Sequence, residues 1–333
     1  MRIGVVGGGT VGRATARAFI EHVDEVCVYD VVKERRTHGF DEVLMCGLIF
    51  LCLPTPQKDG QLACDTSTVD KFFHQLEVSW GSWNWKQKNW VLRSTVPIGT
   101  TRKLCEKYNL PNLVHSPEFL TARCAIQDAQ MPARNIIGWS WTAGETASDK
   151  CLWTLKHLYE SRFPGIPIYE MSSDESEAVK LFQNSFFAVK VAFWNECRAL
   201  SDKLGMDWER VLEAVLADGR IGHSHTKVPG PDGKRGYGGL CLPKDLANFI
   251  SCFDDMDARI YPQVSVAAYN RNLLDRGESN SMFVDALKGT LSDAETWERL
   301  NVDRLQLDKG LSIGESMPES EMMREAIRNP FDQ

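Results

Sequence analysis

The stretch RGYGGLCLPKDL, residues 235–246, sets Cys241 between a glycine-rich turn and Pro243, a residue suited to the first turn of a helix. A thiol just ahead of a helix N-terminus, with Lys244 close by, is favoured as thiolate and can act as a nucleophile. The same position also suits a small buried side chain. Asp245 falls in the first helical turn, where an acid complements the helix dipole whether or not it has another role. Lys180 and Asn184 stand four residues apart and share one helix face. A lysine among Val179, Leu181 and Phe182 must snorkel, pair or serve a function.

A second group of residues suits nucleotide binding. RIGVVGGGTVGRATARAF reads as a strand, a glycine-rich turn and an amphipathic helix, with Gly7, Gly9 and Gly12 in G-x-G-x-x-G spacing. Gly7 permits the turn, Gly9 lets a pyrophosphate approach the backbone, and Gly12 lets helix and strand pack closely. The helix start at Thr10 and Val11 then supplies N–H donors to phosphate. The next strand, EVCVYD, ends at Asp30, where a carboxylate would take a ribose 2′-hydroxyl and favour NAD; it would equally serve as a turn residue. Lys33, Arg35 and Arg36 keep NADP open. Two further apolar runs end in turns carrying Pro54 and Thr55, and Ser94 and Thr95, at the strand ends where such sheets bind ligands. Hydroxyls there also act as turn formers and caps.

These groups need elements to hold them. Strand patterns at 47–56, 89–101, 112–120 and 134–140, with helical patterns at 67–78 and 100–108, predict a doubly wound parallel α/β domain over residues 1–165. From Asp174 to about Leu204 no Gly or Pro interrupts a single long helix, capped by Ser173 or Asp174 and apolar round most of its circumference, as a core or oligomer-interface helix is. A helix over 207–217 and another from Pro243 complete a helical region, 166–275. Residues 276–333 read as two or three short helices with a polar end. The net charge of −7 gives no broad basic surface for nucleic acid. No run approaches the ~18 apolar residues of a membrane span, and no leader pattern precedes the first strand, so a cytoplasmic protein is expected. The ten cysteines show no CxxC spacing, so reduced thiols, no disulfide and no metal site are expected.

In order, GGGTVG, LPTPQKDG, RSTVPIGTT, SPEFL, KLFQNSFFAVKVAFWNE, GRIG and GYGGLCLPKD resemble the UDP-glucose/GDP-mannose dehydrogenases, over roughly residues 1–275. That family oxidises a sugar primary alcohol to a carboxylate with two NAD. The resemblance implies a Rossmann domain followed by a helical domain that dimerises through its long helix. It makes Cys241 the nucleophile, with Lys180 and Asn184 stabilising charge that develops on oxygen. Asp245 and Thr95 would hold the hydrolytic water, and Glu118 would act as base or water-orienting group. Phe119, Leu120, Tyr237, Gly238 and Gly239 would line the substrate with Glu118, Lys180 and Asn184. Arg220, in GRIG, would reach it across a homodimer interface.

The sequence departs from the family in four places. Only VVKERRTHGFDEVLMC separates Asp30 from the strand at 47, where the family carries a further strand and helix. Ala122 and Arg123 replace a Glu-Gly pair after SPEFL. The loop before Gly238 is about three residues longer, and no nucleotide-binding third domain follows residue 275. Two other readings therefore stand beside the four-electron dehydrogenase. One is a two-electron enzyme of the 6-phosphogluconate or β-hydroxyacid type, which has no use for Cys241. The other is a catalytically inactive NAD-binding relative.

Overall fold

Short apolar strands that lack polar alternation can be buried only with helices on both sides, and the first half of the chain folds that way. The computed structural model describes residues 1–57, 61–80, 84–140, 147–253 and 263–276. The strands are β1 (Arg2–Val6), β2 (Glu25–Tyr29), β3 (Leu48–Leu51), β4 (Trp90–Leu92), β5 (Leu113–His115), β6 (Asn135–Trp139) and β7 (Ile168–Ser172). Their order in the sheet is β2-β1-β3-β4-β5-β6-β7. The helices between them are α1 (Thr10–Phe19), α2 (Phe40–Leu44), α3 (Ser67–Ser79), α4 (Thr100–Tyr108), α5 (Ala125–Gln130) and α6 (Ala147–Arg162).

The sheet is parallel except between β5 and β6, which run antiparallel. The wholly parallel expectation is corrected there, and the connection supplies the reason. A parallel return must carry the chain back across the sheet, usually on a long helix, whereas α5 has six residues and spans about 9 Å. β7, which the sequence pattern did not reveal, pairs parallel with β6 and extends the sheet to Ser172. The helices cover both faces. Phe72, Phe73 and Leu76 of α3 and Leu104 and Tyr108 of α4 pack on one side with Trp90. Ala14, Ala18 and Phe19 of α1, Ala125 of α5 and Leu155 and Tyr159 of α6 pack on the other with Phe50.

The described chain forms two compact units, the first holding Met1–Pro56 and Asp65–Lys180, the second holding Gln57–Cys64 and the chain from Leu181 on. The division falls inside α7 (Ser173–Lys203), whose 31 residues make about 45 Å of helix. Its cap is Ser172, one residue before the expected one. The Ser172 hydroxyl accepts from Glu175 N–H, and the Glu175 carboxylate accepts from Ser172 N–H, a reciprocal capping box.

In the second unit, Ala188 and Ala192 of α7 pack with Tyr237, with Leu246 and Ile250 of α9 (Leu242–Ser251) and with Val266 and Tyr269 of α10 (Gln263–Arg276). A separate cluster joins Trp194 to Trp208, Leu212 and Leu216 of α8 (Trp208–Leu216). No helix among the described residues is long and apolar enough to cross a membrane. The expected short helices of 276–333 lie outside the described residues after Arg276, and residues 58–60 of the LPTPQKDG motif lie outside them too.

Candidate active site

The glycine turn follows from steric limits. Gly7 has φ +97°, and a Cβ there would meet the Cys52 carbonyl oxygen at 2.3 Å. A Cβ on Gly12 would lie 1.7 Å from the Gly7 carbonyl oxygen, so only glycine lets α1 start this close to β1. Gly9, the α1 cap, is different: a Cβ there would meet no atom within 4 Å. That open space beside exposed Thr10 and half-buried Val11 is where a pyrophosphate can reach the helix N–H groups. Asp30 is buried at the end of β2. One carboxylate oxygen accepts from Gly8 N–H at 2.6 Å and the other from Val32 N–H at 2.8 Å. Asp30 therefore fastens the glycine turn, and its remaining lone pairs can take a ribose hydroxyl.

At the next strand tips the hydroxyls tie neighbouring loops together. Ser94 donates to the Leu53 carbonyl at 2.7 Å, and Thr55 donates to the Thr95 carbonyl at 2.6 Å. Pro54 is exposed and Thr95 half-buried on the same pair of loops. The glycine turn and these loops fit a dinucleotide.

Lys180 is buried, and its ammonium donates to the Glu118 carboxylate at 2.9 Å and to the Glu118 carbonyl at 2.7 Å. The other carboxylate oxygen accepts from Leu120 N–H at 2.7 Å. Burial raises the Glu118 pKa, but Lys180 and the Leu120 N–H outweigh it and hold the carboxyl below its ordinary range. Phe119 stacks beneath two cations, with the Arg134 guanidinium 4.2 Å and the Lys180 ammonium 5.4 Å from its ring centre.

One turn before Lys180, buried Glu177 accepts from Gly99 N–H, Thr101 N–H and the Thr101 hydroxyl, so it caps α4. Burial, working against these donors, pushes its pKa up to about 7. In the sequence Glu177 stands out only as part of an acidic first turn. The available signal was a carboxylate one turn before a lysine in an otherwise apolar helix. Ser176 fixes His115 through Nδ1 at 2.8 Å, and burial lowers the His115 pKa to about 3.

In the second unit, Asn184 donates its amide to the Asp245 carboxylate at 2.6 Å, and the other Asp245 oxygen accepts from Lys244 at 2.5 Å. Asp245 is fully buried. Burial lowers the Lys244 pKa, but Asp245 and the Cys64 and Cys241 thiols raise it further, so the ammonium is retained. Lys244 also donates toward Cys64 Sγ at 3.5 Å. Cys241 occupies the cap position of α9, which opens at Leu242 with Pro243 second rather than first. Its thiol is exposed, and its carbonyl accepts the Asp245 N–H at 2.8 Å. The alternative of a small buried side chain is thus set aside. None of the ten cysteines is joined in a disulfide.

Four other expected residues lie outside these hydrogen-bonded groups. Arg220 is exposed and folds back on Asp218 at 2.5 Å. The Tyr237 ring is buried, with its N–H on Asn272 Oδ1 and its hydroxyl on the Ala268 carbonyl, so it anchors the loop to α10. Half-buried Gly238 and exposed Gly239, the latter at φ +76°, carry the turn from there to Cys241.

Known proteins resemble the chain in sequence and in fold. A UDP-glucose 6-dehydrogenase of Campylobacter jejuni is 38% identical over 235 residues, covering 69% of this chain and 56% of that protein. The chain thus spans little more than half of this curated relative. The solved UDP-glucose dehydrogenase of Pyrobaculum islandicum is 25% identical with a TM-score of 0.64, covering 82% of this chain and 68% of that one. A 3-hydroxyisobutyrate dehydrogenase of Mycobacterium tuberculosis shares the fold alone, at 14% identity and a TM-score of 0.61, over 86% of this chain and 98% of that one. Residues 33–161 match the NAD binding domain of the UDP-glucose/GDP-mannose dehydrogenase family, and NAD is the cofactor. Since residues 174–272 match the central domain of the same family, the chain belongs to the UDP-glucose/GDP-mannose dehydrogenase family.

Proposed function

We propose that the chain carries out the NAD-dependent, four-electron oxidation of a nucleotide-sugar primary alcohol, UDP-glucose-like, to the carboxylate through Cys241. The observation that carries this reading is the exposed thiol at the α9 cap, one turn before a buried carboxylate that Asn184 and Lys244 hold in place. When bound at Gly7–Gly12 and Asp30, NAD supplies the hydride acceptor for each oxidation. Cys241 adds to the aldehyde left by the first oxidation, giving a thiohemiacetal. The second oxidation converts this to a thioester. Asp245 and Thr95 orient the water that releases the acid, and Glu118 assists its deprotonation. Lys180 and Asn184, one helical turn apart, stabilise charge on the substrate oxygen. Covalent capture divides a hard step and retains the reactive aldehyde.

The working form in this reading is a homodimer through α7. Phe182, Phe186, Phe193 and Leu200 repeat at helical spacing on that helix and are 54–62% exposed, a stripe of the kind that a second copy covers. Arg220 would then serve the partner's substrate.

The test counts NADH formed per sugar consumed, with UDP-glucose and GDP-mannose as substrates, for wild type and Cys241→Ser. Two NADH per sugar, with the variant unable to release acid, is the expected result. One NADH per sugar with the variant unaffected would refute the cysteine route.

A further inference from the structure

The shortened stretch after β2 gathers metal-ligating side chains that the proposed reaction does not use. β2 is an edge strand of the sheet, and Glu25 and Cys27, two apart, share one of its faces. The chain returns along this edge, where Thr37 N–H and His38 N–H both donate to the Val28 carbonyl and the Thr37 hydroxyl accepts from Val28 N–H. This pairing holds His38 over the strand. Its Nδ1 shares a hydrogen bond with the Thr37 hydroxyl at 2.8 Å, which turns Nε2 toward the Glu25 carboxylate at 3.2 Å. One oxygen of Glu25, the Cys27 sulfur and a ring nitrogen of His38 all lie within 4.8 Å of one another.

We propose that Glu25, Cys27 and His38 form a zinc site, with solvent as the fourth ligand, that staples the segment 31–47 to the edge of the sheet. One sulfur, one imidazole and one carboxylate, with a water, are a tetrahedral zinc set, and the sulfur disfavours magnesium and calcium. The Thr37 contact to Nδ1 is the outer hydrogen bond that orients a metal-bound histidine. The need for a staple is also visible. Between β2 and β3 the chain forms one three-residue turn of 3₁₀ helix and the five-residue α2, little structure to bury a core of its own. The sequence does not advertise the site, because ligands at 25, 27 and 38 have none of the usual Cys-Cys spacing.

One competitor occupies the same place. The Arg2 guanidinium sits 2.6 Å from the Glu25 carboxylate and 3.3 Å from Cys27 Sγ, balancing the charge that zinc would balance. Its side chain is 40% exposed and can swing into solvent. The Cys27 thiol gives up its proton to solvent when it binds the metal, so affinity tightens as pH rises.

The experiment strips the full chain with a chelator, then titrates it with zinc and separately with cobalt(II), reading metal stoichiometry and the near-ultraviolet thiolate-to-cobalt absorption. One zinc per chain is expected, with a rise in Tm on binding. Affinity falls by at least about tenfold in His38→Ala. Arg2→Gln tightens binding, and Cys124→Ser leaves it unchanged. Since buried Cys27→Ser can fail to fold, partly exposed His38 carries the decision. Less than one equivalent bound, no thiolate band with cobalt, or wild-type affinity in His38→Ala would overturn the site.

Discussion

Removing the Lys180 ammonium is the sharpest test of the buried pair. Lys180→Met keeps most of the volume but leaves the Glu118 carboxylate buried with only the Leu120 N–H at 2.7 Å and strands the Glu118 carbonyl. At 2.9 Å the gross attraction in an effective dielectric of about 20 is ~6 kcal/mol, and stripping one partner from a buried pair costs about 3–5 kcal/mol net. We expect about 4 kcal/mol lost at neutral pH. The pH dependence fixes the cause. In the wild type the carboxyl is held below its ordinary value of 4.5, so its contribution is present above 4.5 and is lost as pH falls through the depressed folded value. In Lys180→Met burial dominates and raises the carboxyl instead, so the folded variant is penalised at neutral pH and relieved as acid neutralises Glu118. The difference between the two proteins should shrink by half or more between about pH 7.5 and about pH 4.5, measured by urea unfolding. Adding Glu118→Gln should recover much of the loss, because no buried charge then remains. A penalty below about 1 kcal/mol, or one that does not change with pH, would refute the reasoning.

Two further outcomes follow from the same geometry. Burial raises Glu177 from 4.5 to about 7, so its contribution to stability is complete below 4.5 and is lost as pH rises through about 7. That rise corresponds to about 3 kcal/mol, and Glu177→Gln should flatten this part of the stability-pH profile in urea titrations; an unchanged slope would place the titration elsewhere. Phe186→Asp with Phe193→Asp should convert a homodimer to a folded monomer by light scattering, since both rings are more than half exposed on α7; an undisturbed dimer would move the interface off this helix.

Local rules of spacing were readable in the sequence. Gly12 could be assigned because its close contact is with Gly7, inside the turn they make. The start of α9 near Pro243 and the unbroken run of α7 were readable for the same reason, since capping and propensity act within a turn or two. Cys241, Lys180 and Asn184 were singled out because a thiol at a helix start and a lysine in an apolar helix both break local expectation.

Partnership was decided by the fold. Lys180 meets Glu118 across 62 residues, and Asn184 meets Asp245 across 61, and no spacing rule reaches that far. The reversal of β6, the addition of β7 and the capping of α4 by Glu177 likewise depend on how far a connection can travel and which carboxylate it carries to a helix end. Tyr237 shows the limit from the other side, because a residue expected to face substrate is buried against α10. The sequence by itself determined which residues could react and which helices would carry them, because those depend on side-chain chemistry and hydrogen bonds within a turn or two. Only the tertiary structure decided which charges are paired and which thiol is exposed, because burial and pairing are set by neighbours that the chain brings together from far apart.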